Sequence, residues 1–158
     1  MTITLRRASH GDESALVELN SLVQSMHAAN HPSVFKSPNG VELSAFMRDA
    51  VDDPNAQIWL AEESGEPVGY VLARLQERPE NPFCHPRRFF EIDQISVRPK
   101  KQHCGVGRQL IEQVIQMAAA EGVPAVELGC WSFNHDAQAA FERLGFSPRW
   151  TRFWRSVP

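Results

Sequence analysis

The feature that most constrains this chain is a turn with two glycines between a strand pattern and a long amphipathic helix pattern. The turn runs from Val97 to Arg108 with the sequence VRPKKQHCGVGR. Glycine lets backbone N–H groups approach an anion closely, and the N-terminus of a helix adds positive potential. On these residues alone two interpretations stay open: a phosphate-binding loop, or a tight strand-to-helix turn without a ligand.

Two familiar phosphate-binding motifs do not match this turn. The dinucleotide-binding fingerprint requires a third glycine, but Leu110 stands at that position. The P-loop requires Gly-Lys-Ser or Gly-Lys-Thr, which the sequence does not contain. The pattern that remains is Gln-x-x-Gly-x-Gly, which begins at Gln102 and follows a Val97-x-Pro99 turn.

The spacing of apolar residues along the chain predicts a mixed α/β fold in one domain, residues 1–158. The predicted order of elements is β-α-α-β-β-β-α-β-α-β, which gives a continuous sheet of about six to seven strands with four helices on its faces. The predicted strands are residues 2–7, 57–62, 68–75, 89–97, 125–131 and 150–157. The predicted helices are residues 12–28, 43–51, 105–121 and 134–144.

Charge and cysteine content argue against several classes of protein. Lys and Arg number 16 against 19 Asp and Glu, and a net charge of −3 does not favour binding to nucleic acid or to an anionic membrane. No apolar run approaches the ~18 residues of a membrane helix, and the first residues do not resemble a signal peptide. The three cysteines are widely spaced, and His27 and His31 have no evident third ligand. We therefore expect a cytoplasmic protein without a metal site.

Two motifs together resemble the GCN5-related N-acetyltransferase (GNAT) superfamily. The family pattern [Gln/Arg]-x-x-Gly-x-[Gly/Ala] opens a long helix and is matched from Gln102 to Gly107. The family segment Asn-x-x-Ala-x-x-x-Tyr-x-Lys-x-Gly-Phe is similar to the segment from Asn134 to Phe146, with Phe141 in place of the tyrosine. The resemblance covers residues 89–146 and implies the GNAT acyl-CoA N-acyltransferase fold.

The resemblance also implies that the chain binds acetyl-CoA. The pantetheine arm is expected beside Ile95, Ser96 and Val97, and the thiol end near Asn134 and Phe141. The pyrophosphate is expected on backbone N–H groups of the loop, which comprises Gln102, His103, Cys104, Gly105, Val106, Gly107 and Arg108. The basic residues Arg98, Lys100 and Lys101 are candidates for phosphate contacts or, alternatively, for a solvated turn.

Acetyl transfer to an amine calls for a base, because the nucleophile must be neutral. Strand alternation predicts that Glu91 and Asp93 share one face with Ile95 and Val97. The resemblance implies that Asp93 occupies an acidic general-base position, with Glu91 as the second candidate. It also implies that the backbone N–H of Val97 stabilises the oxyanion. The alternative is that both carboxylates are peripheral or ion-paired.

The phenylalanine at position 141 keeps two functions open. The first is an N-acetyltransferase that moves an acetyl group from acetyl-CoA directly to a primary amine of a small molecule or peptide. The second is a catalytically weak acyl-CoA-binding or sensing module, because Phe141 cannot protonate the leaving thiolate. Aromatic residues near the thiol end and the C-terminus are candidates for an acceptor pocket, or for packing in the core or a homodimer: Trp131, Phe133, Trp150, Phe153 and Trp154.

Overall fold

The computed structural model describes residues 2–158 and confirms the mixed α/β fold with four α-helices. Met1, the first residue of the predicted domain, lies outside the described residues. These residues form five strands, fewer than predicted: β1 (Ile3–Arg7), β2 (Ala56–Glu63), β3 (Glu66–Arg78), β4 (Arg87–Val97) and β5 (Val126–Leu128). The helices are α1 (Glu13–Asn30), α2 (Gly40–Asp52), α3 (Val106–Ala120) and α4 (His135–Arg143), with a short 3₁₀-helix at Pro99–Lys101.

The sheet has the order β1-β2-β3-β4-β5 and is antiparallel except for the pair β4–β5. The predicted hairpin of β2 and β3 is confirmed, and its turn residues Ser64 and Gly65 have φ values of 52° and 82°. Positive φ at both central residues is typical of a type I′ turn, whose twist matches that of the flanking strands. The parallel pair is connected through α3, which places the two-glycine turn at the C-terminal end of β4.

Helices cover both faces of the sheet because each has one apolar stripe. The helices α1 and α2 bury apolar residues against one face: Leu16, Leu19, Met47 and Ala50. The helix α3 buries residues at helical spacing against the other face: Val106, Leu110, Ile111, Val114 and Ala118. Phe141 of α4 packs against the same core. Within residues 2–158, none of these helices combines the length and the hydropathy needed to cross a bilayer.

The predicted last strand, residues 150–157, is wrong for the single chain. Residues 147–158 form neither strand nor helix, and Trp150, Phe153 and Trp154 are 71%, 92% and 85% exposed. A strand requires an edge with which to pair, and this segment pairs with none of the described strands. The sequence pattern shows which residues suit a strand, but it does not show whether an edge is within reach. The strand predicted for residues 125–131 is likewise limited to Val126–Leu128.

Candidate functional site

The strands β4 and β5 separate at the C-terminal end of the sheet. Their pairing covers three positions and ends at Ile92 and Leu128. β4 then continues to Val97, paired with β3 on one side only. A strand without a partner on one side leaves main-chain N–H and C=O groups for another molecule to bond. We call residues 93–97 the β4 edge; they include the predicted pantetheine positions Ile95, Ser96 and Val97.

A β-bulge marks the start of the β4 edge. Gln94 pairs with Leu72 and Ile92 pairs with Ala73, so Asp93 is an extra residue that faces no single partner on β3. A bulge bends its strand and increases the local twist. It therefore helps to direct the end of β4 away from β5.

The prediction that Glu91 and Asp93 share a face with Ile95 and Val97 is wrong. Ile95 and Val97 pack against the core beneath α3. Asp93 instead bonds to Arg74, which lies beside α2, and Glu91 is paired with Arg74 in the register. One inserted residue shifts the alternation by one position, so the side chains before it lie on the opposite face. The two carboxylates therefore face α2 rather than α3.

Asp93 takes part in a chain of ionic contacts. Arg74 donates from Nε to Asp93 Oδ2 at 2.8 Å, and its Nη1 pairs with Asp53 at the end of α2. Partial burial raises the pKa of Asp93 above its ordinary value, while the charge and hydrogen bond of Arg74 oppose that rise. A carboxylate with a raised pKa is a better base near neutral pH, and the ion pair also fixes its direction.

The two-glycine turn places the N-terminus of α3 beside the β4 edge. His103 and Gly105 have φ values of 60° and 84°, which let the chain turn sharply from the end of β4 into the helix. Gln102 Nε2 donates to the C=O of Val97 at 3.2 Å and so ties the turn to the strand. No side chain in residues 2–158 caps α3, and the first N–H groups of a helix have no partner within it.

The backbone at this helix end is accessible. A Cβ at Gly107 would meet Val97 Cγ2 at 3.8 Å and no closer atom. The residues Gln102, His103 and Cys104 are exposed, whereas Val106 is buried in the core. The uncapped backbone and the open glycine therefore fit the phosphate-binding interpretation better than that of a bare turn.

Several basic side chains of the turn are engaged with carboxylates of the chain itself. Arg98 donates to the C=O of Pro67 at 2.8 Å and to Glu18 at 2.6 Å. Lys101 pairs with Glu63, and Arg108 pairs with Glu112. These ion pairs hold the turn against its neighbours. The backbone of the turn, rather than these side chains, is therefore the main candidate for binding an anion.

A buried polar network adjoins the bulge, and sequence analysis did not identify it. Tyr70 donates from its hydroxyl to Gln94 Oε1 at 2.7 Å, and Asn20 Nδ2 donates to both at 2.9 and 3.2 Å. Burial raises the pKa of Tyr70, so its hydroxyl stays protonated at neutral pH. Because Oε1 of Gln94 accepts both bonds, the NH₂ group of the same side chain points away from Asn20 and Tyr70. The one feature of the sequence that could have indicated this network is Asn20, a polar residue on the apolar face of α1.

The profile of the acetyltransferase (GNAT) family matches residues 21–146. The chain belongs to this family. It is 26% identical over 147 residues to the peptidyl-lysine N-acetyltransferase YjaB of Escherichia coli (strain K12). This match covers 92% of the chain and 83% of the relative. Five further curated relatives, which include mycothiol acetyltransferases from Streptomyces, are longer, and the chain spans 39% to 48% of each.

Two solved structures are similar to this chain in fold. The tetramutant of the BH1408 protein from Bacillus halodurans has a TM-score of 0.90 and 22% identity, covering 98% of this chain and 99% of that chain. The aminoglycoside acetyltransferase AAC(6')-Iy, in complex with a bisubstrate analogue that contains CoA, has a TM-score of 0.79 and 17% identity, covering 100% of both chains. At these identities the likeness concerns the fold alone.

The second GNAT motif begins at the N-cap of α4. Asn134 Oδ1 accepts from the backbone N–H of Ala137 at 3.2 Å, which satisfies one N–H of the first helical turn. Phe141 contacts Phe146, with ring centroids 6.1 Å apart, and packs against the core beneath α3. These roles are structural, and the contacts of Asn134 and Phe141 with the thiol end of a cofactor remain predictions.

An aromatic cluster joins the end of α1 to the segment between β5 and α4 of this GNAT chain. Its members contact one another through their rings: His27, His31, Phe35, Trp131 and Phe133. Burial lowers the pKa of His27, so its ring is neutral at pH 7. Residues 2–158 contain no group of three His, Cys, Asp or Glu side chains placed to hold a metal ion. Phe133 contacts His27 of α1, and Trp131 contacts His31 and Phe35 in the segment that follows α1.

Proposed function

We propose that this GNAT protein is an N-acetyltransferase that transfers an acetyl group from acetyl-CoA directly to a primary amine of a small molecule or peptide. The observation that carries the proposal is the separation of β4 from β5 beside the uncapped N-terminus of α3. An open main-chain edge suits an extended arm that contains amides, and a helix N-terminus suits a diphosphate. Acetyl-CoA has both parts, and the fold neighbour AAC(6')-Iy is in complex with an analogue that contains CoA.

Backbone groups would hold most of the acetyl-CoA molecule. The pantetheine arm would lie along Ile95, Ser96 and Val97. The hydroxyl of Ser96 is buried and donates to the C=O of Leu19 at 2.7 Å, so it is not available to the cofactor. The diphosphate would lie against the N–H groups of the turn between Gln102 and Arg108.

Asp93 is the first candidate for the base, and Glu91 is the second. An acceptor amine with a pKa near ~10.4 arrives protonated at neutral pH, so a nearby carboxylate that takes up the proton, directly or through water, assists the attack. The N–H of Val97 is the proposed donor to the oxyanion. The thioester supplies the acetyl group and a leaving thiolate with a pKa near ~8.5, which departs without a tyrosine acid.

The second candidate function is a catalytically weak acyl-CoA-binding or sensing module. Phe141 favours it, because the family position for an acid has no hydroxyl, and the single tyrosine, Tyr70, is buried on the side of the sheet that faces α1. This candidate shares the acetyl-CoA site but predicts no transfer to an amine. It is therefore distinguished by activity and not by binding.

An acceptor screen separates the two functions. Release of CoA would be followed with a thiol reagent over a panel of amines that includes a lysine-containing peptide and an aminoglycoside, the acceptor classes named for its relatives. We expect release above the rate of thioester hydrolysis with at least one acceptor. Tight CoA binding without release from any amine would favour the sensing module.

Gly107→Glu tests the binding site itself. The carboxylate would stand where the diphosphate is expected, so CoA affinity by calorimetry should fall at least tenfold, about 1.4 kcal/mol. Gly40→Glu is the matched control, because Gly40 begins α2 and a Cβ there meets nothing within 4 Å. We expect the control to bind CoA like the wild type. Equal affinity of both variants would contradict the assignment of the turn.

We further propose that the protein acts in the cytoplasm without nucleic acid or membrane partners, and that it forms a homodimer. The three unpaired cysteines and the net charge of −3 support the first part. The exposed aromatic side chains of Trp150, Phe153 and Trp154 support the second part.

A further inference from the structure

The side chain of Gln94 is fixed at one end of its amide group and open at the other. Its Oε1 accepts from the hydroxyl of Tyr70 at 2.7 Å and from Asn20 Nδ2 at 3.2 Å. Within residues 2–158 no side chain or backbone group bonds to its Nε2. Gln94 is half-buried, and its Nε2, unlike Asn20 Oδ1, is not sealed from solvent without a partner. Two N–H donors are therefore available at this position.

The fixed end decides where these donors point. Tyr70 belongs to β3, so Oε1 of Gln94 is turned toward β3 and Nε2 toward the other side of β4. That side is the β4 edge, where no second strand of the described residues lies beside residues 93–97. The reverse orientation of both amide groups would bury the NH₂ group of Asn20 without a partner, and unpaired buried N–H groups are rarer than unpaired carbonyls. The β4 edge therefore receives N–H donors from Gln94.

The network that holds Gln94 is not the most stable arrangement available to these positions. It leaves Asn20 Oδ1 buried without a hydrogen bond, which lowers stability. Leucine in place of Asn20 would avoid this cost, but Tyr70 alone would then hold Gln94. Local departures from the most stable choice are expected at functional sites, where one geometry is needed for binding. The direction of the Gln94 amide is the feature that this network secures.

Gln94 adjoins the candidate base Asp93. The two residues are consecutive, and the bulge places both on the face that α1 and α2 cover, where Asp93 bonds to Arg74 and Gln94 to Asn20. A carboxylate accepts from an ammonium or amine nitrogen, and an NH₂ group donates to an oxygen. An acceptor with a nitrogen and an oxygen on neighbouring carbons can contact both side chains at once. A plain alkylamine, such as the side chain of a lysine residue, can contact Asp93 only.

We propose that Gln94 selects the acceptor, through N–H donation to a carbonyl or hydroxyl oxygen on the carbon next to the one that carries the amine. The favoured acceptors are amino-acid amides and amino alcohols rather than plain alkylamines. Gln94 takes up no proton in the reaction, and Asp93 remains the candidate base. Tyr70 and Asn20 are positioning residues, because they act through Gln94. This inference rests on the proposed acetyl transfer.

Three amines of matched carbon skeleton test the selection. Leucinamide carries a carbonyl oxygen, leucinol carries a hydroxyl, and isopentylamine carries neither. CoA release gives kcat/KM for each amine and hence the preference for an oxygen-bearing amine over isopentylamine. Because the three amines differ in their own pKa values, the change of this preference between variants is the quantity that tests the proposal. The amine whose preference changes more, leucinamide or leucinol, shows whether a carbonyl or a hydroxyl is recognised.

Gln94→Glu is the decisive variant, because it keeps an oxygen for Tyr70 and Asn20 and replaces the donor NH₂ group with a second oxygen. We expect the preference to fall about fivefold, the effect of one neutral hydrogen bond. Tyr70→Phe should lower it by a smaller factor, because Asn20 alone then directs the amide. Gln116→Glu is the matched control, since Gln116 is exposed on α3, and should keep the preference of the wild type. A general loss of structure would lower kcat/KM for all three amines alike, so an unchanged preference in Gln94→Glu would overturn the proposal.

Equilibrium binding separates this selection from the acetyl transfer on which it rests. Each amine would be titrated by calorimetry into wild type and Gln94→Glu saturated with CoA, a measurement that requires no turnover. We expect leucinamide or leucinol to lose affinity relative to isopentylamine in the variant, again by about fivefold. If this loss is seen while the wild type releases CoA with no amine, the transfer is wrong and the selection stands. If neither assay shows the difference, the selection by Gln94 is wrong, whatever the rate of transfer.

Discussion

Arg74 contacts three side chains, one of which is the candidate base Asp93. Its guanidinium bonds to Asp93 and Asp53 and lies 5.9 Å from the ring centre of Phe46. A guanidinium stays charged at all relevant pH values, so its effect on Asp93 is constant while burial acts in the opposite direction. The state of the carboxylate at neutral pH therefore depends on a residue from another strand.

Arg74→Gln should shift the acidic limb of the pH–rate profile to higher pH. Without the cation, burial acts unopposed and the pKa of Asp93 rises further, so the carboxylate is protonated, and inactive as a base, over a wider range. The profile would be measured from CoA release with the best acceptor. Lys36→Gln, whose partner Glu42 is exposed, should leave the limb in place. An unmoved limb in Arg74→Gln would exclude Asp93 as the base.

At the scale of elements, the network of Asn20, Tyr70 and Gln94 joins α1, β3 and β4 at the bulge. Ser96 adds a second buried bond from β4 to α1 through the C=O of Leu19. Hydrogen bonds between buried polar groups favour a single arrangement of the elements that carry them, although Asn20 Oδ1 bonds to none of the described residues. These bonds therefore hold α1 at one position over the β4 edge.

Tyr70→Phe should lower the free energy of unfolding by about 1–2 kcal/mol, measured by urea denaturation. The variant removes a hydroxyl that both donates and accepts, and it leaves polar groups of Asn20 and Gln94 with fewer partners. The double variant Asn20→Leu, Tyr70→Phe should cost less than the sum of the two single variants, because the groups share one network. Strict additivity would show that the bonds act independently.

At the scale of the whole molecule, Arg6 of β1 connects the sheet to the start of α1. It bonds to Asp12 at 2.7 Å and to Glu62 of β2 at 2.8 Å. The hydrogen bonds of Arg6 hold the pKa of Asp12 at about 2, below its ordinary value of 3.8. Because the folded pKa is the lower one, the stabilisation is fully present above pH 4 and is lost as the pH falls toward 2.

Asp12→Asn should therefore lower stability at pH 7 by about 1–2 kcal/mol, and the difference from the wild type should shrink on acidification below pH 4. Thermal or urea unfolding between pH 7 and pH 2 measures both effects. Asp136→Asn is the control, because Asp136 is exposed near the start of α4 and should show a smaller difference. A difference for Asp12→Asn that stays constant with pH would show that Arg6 does not act through the carboxylate charge.

The sequence alone determined the features that depend on local chemistry. The spacing of apolar residues predicted four helices and the hairpin of β2 and β3, because helix and strand periodicities are set by backbone geometry. The pattern from Gln102 to Gly107 predicted a turn into a helix N-terminus, because only a few residue types allow that backbone path. Together with the segment that begins at Asn134, it also indicated the family, which the match over residues 21–146 shows.

The tertiary structure alone decided the features that depend on partners distant in the chain. The bulge at Asp93 arises from the pairing of β4 with β3. Because of this bulge, the carboxylates of Glu91 and Asp93 lie on the face opposite the predicted one. Arg74 meets Asp93 from a position 19 residues earlier, so no local pattern could identify the pair. Residues 150–157 have the composition of a strand, yet they pair with none of the described strands. Strand formation requires a second strand in register, and whether one is met is a property of the folded molecule.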